Sequence, residues 1–252
     1  MQVKDSVIII TGGGQGLGRS MAEYLAAKGA RLALVDLNQE RLDEAVAACK
    51  SAGGDARSYI CNVANEEQVE SMVSRVAEDF GAINGLINNA GILRDGLLVK
   101  AKDGQIQKMS LAQWQSVIDV NLTGVFLGTR EVAAKMIELG NKGLIINISS
   151  ISRAGNIGQS NYSAAKAGVA AMTVVWGKEL ARHGIRVAGI APGFIETEMT
   201  AGMKPEALEK MTSGIPLKRM GKPEEIAHSA AYLFENDYYT GRILELDGGI
   251  RL

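Results

Sequence analysis

Cysteine is nearly missing: Cys49 and Cys61 are the two among 252 residues, too few for a disulfide framework and without zinc-ligand spacing. Histidine is as scarce, at two, and no cluster of His, Cys and carboxylates suggests a metal, so none is expected. Charge of one sign is also lacking. Lys and Arg number 27 against 28 Asp and Glu, a net −1, which leaves no electrostatic footprint for a nucleic-acid backbone or an anionic membrane. No apolar run approaches the ~18 residues of a membrane span, and the four apolar residues in the opening MQVKDSVIII fall short of a signal-peptide core. With four prolines and 5% aromatics, there is no proline-rich linker, low-complexity tract or internal repeat. These absences leave a cytoplasmic globular protein of one domain, 1–252, as the expectation.

What is abundant is glycine, 30 residues, well above a usual share of about 7%. Short apolar runs alternate with helical patterns throughout. Strands are predicted at 7–11, 31–36, 57–61, 85–88, 144–149, 186–192 and 242–246, and helices near 17–28, 38–52, 66–80, 110–139, 160–182 and 223–235. Runs such as VIII and LIIN are apolar on both faces, as parallel strands covered by helices on each side must be. The alternation predicts an α/β fold: a doubly wound, Rossmann-type parallel sheet of about seven strands with helices on both faces. Helix 160–182 shows its period in Ala165, Val169, Met172, Trp176 and Leu180. Segments 92–109 and 194–222 break the rhythm and read as long binding loops at the strand C-termini, where open α/β sheets hold ligands. The methionine-rich 199–211 reads as a soft apolar lid over an acyl substrate.

The first strand runs into TGGGQGLG, 11–18. Glycines there permit a tight turn, let backbone N–H groups approach a pyrophosphate, and let the helix start press on the sheet. The spacing is G-x-x-x-G-x-G through Gly12, Gly16 and Gly18, so the loop alone is a weak signal. Asp36 strengthens it, because an acid ending the second strand can bond the adenosine ribose hydroxyls and repels a 2′-phosphate. Gln15 stands where a basic residue would favour that phosphate. NAD(H) is therefore favoured, while Arg19 and Arg41 lie near enough to leave NADP(H) open.

TGGGQGLG, NNAG (88–91), Asn121, Ser149, YSAAK (162–166) and PGFIET (192–197), in this order across essentially the whole chain, resemble the short-chain dehydrogenase/reductase family. Ile118–Phe126, GQSNYSAAKAG (158–168), APGFIETEMT (191–200) and YTGRILELDGG (239–249) are most similar to 3-oxoacyl-acyl-carrier-protein reductases and related 3-hydroxyacyl dehydrogenases. The residues also make chemical sense. Tyr162 and Lys166, four apart on a predicted helix, share one face. Reducing a ketone requires a hydride from nicotinamide and a proton for the new alkoxide. A phenol with pKa of about 10 is a poor acid–base near neutrality, and a neighbouring ammonium favours phenolate. Tyr162 is thus expected to carry the proton, with Lys166 lowering its pKa and holding the nicotinamide ribose. Ser149, ending a strand, can bond the substrate carbonyl oxygen.

The resemblance implies further roles. Asn121 would order a water relaying protons from Lys166. Cofactor contacts would come from Gly12, Gln15, Gly16, Leu17, Gly18 and Asp36, from Asn62 and Val63 at the adenine, and from Asn88, Asn89, Ala90 and Gly91 along the adenosine. Pro192, Gly193, Ile195 and Thr197 would frame the nicotinamide. A homotetramer is implied, pairing the long helices, with Ala164, Ala167, Gly168 and Ala171 allowing close contact. The expected reaction is reduction of a 3-oxoacyl thioester, on acyl carrier protein or CoA, to the 3-hydroxyacyl product. Three features depart from the carrier-protein reductases: Asp36, a longer loop after NNAG, and Asn141 and His183 where some relatives present basic residues to the acidic carrier, with Lys142 and Arg182 alongside. A steroid, polyol or other secondary alcohol is the alternative substrate. A non-catalytic redox sensor is the alternative of another class; it would have no use for Ser149, Tyr162, Lys166 and Asn121 together.

Overall fold

A computed structural model describes residues 1–196, 206, 209 and 212–251. Seven strands, β1 (Val7–Thr11), β2 (Arg31–Asp36), β3 (Asp55–Ile60), β4 (Gly85–Asn88), β7 (Gly143–Ile148), β8 (Ile185–Pro192) and β9 (Arg242–Leu246), form one sheet. Its order is β3-β2-β1-β4-β7-β8-β9, and every pairing is parallel. Parallel neighbours require crossovers, supplied by α1 (Gly16–Ala27), α2 (Gln39–Ser51), α3 (Glu66–Phe80), α4 (Leu111–Ile118), α5 (Gly124–Glu138), α6 (Ser160–Glu179) and α7 (Pro223–Glu235). The order of strands reverses between β1 and β4, which opens a crevice at their C-terminal ends.

The apolar runs are explained by two cores. Along β1, Ile8 and Ile10 pack with Met21 and Leu25 of α1, Leu42 of α2 and Phe234 of α7. Val7 and Ile9 point the other way, toward Val69, Met72 and Val76 of α3 and Val132 and Met136 of α5. Each such side chain, fully buried, contributes about 1.5–3 kcal/mol. Local signals set the helix starts: the Asn38 side chain accepts the Arg41 N–H, Asn65 that of Gln68 and Ser110 that of Gln113, each such cap being worth about 1 kcal/mol.

The strands and most helices lie within two residues of expectation, and three segments differ. The predicted helix 110–139 is α4 and α5 joined by a π-helical turn, Asp119–Thr123. Segment 92–109 contains an antiparallel hairpin, β5 (Val99–Lys102) and β6 (Gln105–Lys108). Asp103 (φ 52°) and Gly104 (φ 75°) at its turn both have positive φ, the geometry that a two-residue hairpin favours. Finally, α6 buries Ala165 and Val169 of the expected stripe and packs Trp176 and Leu180 against the core, but it also buries Asn161, Lys166, Thr173 and Gly177 and leaves Met172 half-buried. Thr173 joins the buried face through its Oγ1, which accepts the Asn147 amide at 2.9 Å. In addition, Gly177 lies against the Gly241 backbone, where a Cβ would come within 2.7 Å. Among the described residues no helix is long and apolar enough to cross a membrane.

Candidate active site

The crevice between β1 and β4 holds a cleft of about 680 Å³. Its floor is the turn from β1 into α1. Gly12 has φ +64°, and a Cβ at Gly18 would lie 2.1 Å from the Gly12 carbonyl oxygen. Only bare backbone fits that contact, which lets the start of α1 aim its N–H groups into the cleft. Thr11 ties this turn to β4: its Oγ1 accepts the N–H of Asn89 at 3.0 Å and of Ala90 at 3.1 Å. The Asn89 amide donates to the carbonyls of Thr11 and Gly12 at 3.0 and 3.2 Å. Asn89 therefore braces the glycine turn while lining the cleft beside Ala90 and Gly91.

At one end, Asp36 Oδ2 accepts the Gly14 N–H at 3.2 Å, and its Oδ1 accepts that of Leu37 at 2.7 Å. The carboxylate is thus held at the cleft wall, next to Asn62 and Val63. Asn62 is fixed by the Gln68 side chain, which accepts its N–H at 2.8 Å. Arg19 is paired with Glu23 and Glu44 at 2.8 and 3.2 Å, and Arg41 hydrogen-bonds Gln15. Cys61, also on this wall, is buried, and burial pushes its thiol up to about 11; it stays a protonated, inert packing residue near neutrality.

At the other end, α6 brings Tyr162 and Lys166 to the cleft, opposite the end of β7. Lys166 is 3% exposed. Its Nζ donates to the Ile148 carbonyl at 2.7 Å and stands 5.6 Å from the centre of the Tyr162 ring. Burial pulls this ammonium down to about 8. Burial also pushes the Tyr162 phenol above its ordinary value, with a Ser150 hydrogen bond opposing the shift and the Asp95 carboxylate adding to it. The two consecutive serines after β7 diverge. Ser149, 2% exposed, donates its hydroxyl to the Lys166 carbonyl at 2.9 Å. Ser150 Oγ accepts the Ser152 N–H at 3.1 Å, and its hydroxyl is near enough to the Tyr162 phenol to favour the phenolate.

The family described as Enoyl-(Acyl carrier protein) reductase matches residues 12–251. The chain is 42% identical over 253 residues to the 3-oxoacyl-[acyl-carrier-protein] reductase FabG of Thermotoga maritima, covering 99% of both proteins. It is 40% identical over 249 residues to a human 3-oxoacyl-[acyl-carrier-protein] reductase, covering 98% of this chain and 99% of the relative. The chain belongs to the short-chain dehydrogenase/reductase family. Among solved structures, levodione reductase superposes with a TM-score of 0.88 at 36% identity, covering 98% of this chain and 97% of the other. A putative gluconate dehydrogenase from Agrobacterium tumefaciens superposes with 0.90 at 32%, covering 98% and 96%. As a member of this family the chain is an NAD(P)-dependent oxidoreductase, and the glycine turn, with no room for a Cβ, fits a dinucleotide pyrophosphate.

Most residues expected to serve a short-chain dehydrogenase/reductase site lie on this one cleft: Gly12, Gln15, Gly16, Leu17, Asp36, Asn62, Val63, Asn89, Ala90, Gly91, Ser149, Tyr162, Lys166, Pro192, Gly193 and Ile195. Gly18 lies beneath it as the close-packing position. Thr197 and most of the methionine-rich 199–211 fall outside the described residues. Three expectations need correction. Asn88 does not line the adenosine side: it is buried under the sheet, donating to Thr129 Oγ1 at 3.0 Å and Asn147 Oδ1 at 2.9 Å. The Tyr162 phenol is not more acidic than an ordinary one: desolvation raises it above its usual value, while the Lys166 ammonium donates to the Ile148 carbonyl. The hydroxyl beside the phenol is that of Ser150, because the Ser149 hydroxyl turns inward to α6.

Asn121 is fully buried. It lies in the π-helical turn, not on a regular helix, and its amide is clamped to Ile92, accepting its N–H at 2.8 Å and donating to its carbonyl at 3.0 Å. Sequence reasoning passed over Asn161, also fully buried. Its Oδ1 accepts the Tyr162 N–H at 2.8 Å, and its amide donates to the carbonyls of Arg94 at 3.0 Å and Gln113 at 3.3 Å. A polar residue inside an apolar helix pattern, one position before the tyrosine, was the available signal.

Proposed function

We propose that this chain reduces the ketone of 3-oxoacyl thioesters to the 3-hydroxyacyl product using NADH. The observation that supports this most strongly is the gathering of Tyr162, Ser150 and Lys166 at one end of a cleft whose other end is the glycine turn and Asp36. Gly12, Gln15, Gly16 and Leu17 would hold the pyrophosphate, Asp36 the adenosine ribose, and Pro192, Gly193 and Ile195 the nicotinamide side. The bound nicotinamide supplies or accepts the hydride.

The proton is the work of the chain itself. A phenol pushed up by burial is fully protonated at pH 7, the form a proton donor needs in the reductive direction. Tyr162 Oη–H transfers its proton to the carbonyl oxygen, and the Ser150 hydroxyl, beside the phenol, supports the charge as it develops. Below about pH 8 the buried Lys166 is a cation; it stabilises the phenolate left behind before solvent restores the proton. Asn121 and Asn161 act as positioning residues. NADH is favoured over NADPH by the Asp36 carboxylate and by Arg19, already paired with two glutamates.

The thioester reading follows the names of the relatives, and the partly apolar cleft wall of Ile92, Leu93 and Phe194 suits an acyl chain. Assembly as a homotetramer through α5 and α6 is supported by exposed Ala164, Ala167 and Ala171 and by Phe126 and Val175, 41% and 48% exposed; light scattering checks it. For the reaction, NADH and NADPH oxidation is followed with acetoacetyl-CoA, a steroid ketone and a keto-sugar. Turnover of the thioester with NADH is expected; oxidation with the steroid or sugar ketone alone would replace the substrate class, and none with any ketone would point to a non-catalytic sensor.

A further inference from the structure

The β5–β6 hairpin stands out from the rest of the molecule: all eight of its strand residues are exposed. Its register, Val99 opposite Lys108 and Ala101 opposite Ile106, sets Val99, Ala101 and Ile106 on one face with Lys108. Lys100 and Lys102, with Gln105 and Gln107, occupy the other. Ten residues, 99–108, carry three lysines against the lone Asp103, in a chain whose net charge is −1. Among the described residues, none of these three lysines has an ion pair, whereas Arg19, Arg130 and Arg219 elsewhere are each bridged to glutamates. The exposed apolar face is the kind of surface that a partner covers, and the unpaired lysines beside it give that surface a positive potential that favours an acidic partner.

The hairpin is also fixed at the mouth of the cleft. Ile92 and Leu93, which line the cleft, lead directly into it. Its stem is bolted to the catalytic helix: the Gly96 N–H donates to the Gly158 carbonyl at 2.7 Å, Gln159 donates to Asp95 Oδ2 at 2.9 Å, and Asn161 holds the Arg94 carbonyl. A macromolecule seated on the hairpin would lie beside the segment that runs into the cleft and toward Tyr162.

We propose that this hairpin is the docking surface for an acidic carrier protein bearing the acyl thioester, with Lys100 and Lys102 meeting its carboxylates and Val99 and Ile106 giving apolar contact. This inference rests on the thioester reading above. Two hairpins set face to face would repel one another, which disfavours a symmetric hairpin-to-hairpin contact between copies.

The test uses the full chain, with K100E/K102E as the variant. Its affinity for a purified, acidic acyl carrier protein is measured by fluorescence anisotropy at low and high salt. Turnover of a 3-oxoacyl N-acetylcysteamine thioester, small and uncharged, is measured alongside. We expect carrier affinity to fall at least about ten-fold in the variant, and its salt dependence to shrink, with small-thioester turnover within about two-fold of the parent. Equal carrier affinity in parent and variant, or no carrier binding by the parent, overturns the proposal. So does a variant that changes oligomeric state at unchanged carrier affinity, which would assign the hairpin to a second copy. If the parent fails on the small thioester, the thioester reading falls, and the binding comparison still decides the hairpin.

Discussion

The two ends of the cleft are built by different means. At the glycine end, position is set by backbone: a turn with no room for Cβ atoms, pinned by Thr11 and Asn89, and a carboxylate clamped by three N–H groups. At the tyrosine end, position is set by buried side-chain amides and hydroxyls: Asn161 under Tyr162, Asn121 on Ile92, Ser149 on the Lys166 carbonyl and Ser150 on the phenol. Backbone geometry imposes residue types at fixed spacing, so it writes itself into the sequence. Side-chain geometry depends on which way each rotamer turns, and two neighbouring serines with identical chemistry turned opposite ways.

This difference predicts unequal responses to substitution. The largest effect is expected at the glycine end. Gly18→Val places atoms where the Gly12 carbonyl already lies, and NADH affinity, measured by fluorescence titration, should fall at least about 100-fold, a loss of about 3 kcal/mol. Near-parental affinity would mean that the turn is more adaptable than its contacts imply. At the tyrosine end, Ser150→Ala should lower kcat/KM about 100-fold, the scale of one lost polar group at a developing charge, while Ser149→Ala should cost about ten-fold or less. A reversed order would restore Ser149 to the reacting group. Asn161→Ala should lower kcat about ten-fold with little change in NADH affinity, and destabilise the fold by about 1–3 kcal/mol by orphaning the Arg94 and Gln113 carbonyls. Asn161→Asp, which keeps the acceptor for the Tyr162 N–H, should recover part of kcat; no recovery would make the role purely structural.

A fourth prediction separates the two ends by pH. Lys166 is held at about 8 in the fold against about 10.4 in an unfolded chain. The unfolded state therefore binds more protons between these values, and stability rises with pH across that window. Relative to Lys166→Met, the parent should gain about 3 kcal/mol between pH 8 and 10.5, read by denaturant titration at each pH. A flat difference would mean that the ammonium is better solvated than its burial implies.

The legible part of the molecule follows the same division. All seven sheet strands, the glycine turn and Asp36 were readable, because parallel strands buried on both faces must be apolar and a dinucleotide turn must be glycine; Asn88 was not, since its partners Thr129 and Asn147 lie on other elements. The tyrosine and lysine were readable because one helical turn puts them on one face. The hairpin was missed although Asp103-Gly104 is a strong two-residue turn signal, since its strands lack apolar alternation strong enough to stand out: Lys100 and Lys102 answer only Val99 and Ala101. The π-helical turn gave no sign, because Asp119–Thr123 continues the helical pattern on either side. The apolar stripe of α6 was readable in Ala165, Val169, Trp176 and Leu180, whereas Thr173 and Gly177 are buried for a hydrogen bond and a backbone contact, which hydrophobic periodicity does not see.

Tyr162→Phe tests the account most directly, since it removes the phenolic proton and leaves the ring, the cleft and the glycine turn in place. NADH affinity and ketone reduction are measured on the same preparation. Affinity is expected within about three-fold of the parent and kcat/KM lower by about 10³-fold or more, near the scale of what one acid–base group contributes; reduction at near-parental rate would show that the proton comes from elsewhere and contradict the role given to Tyr162.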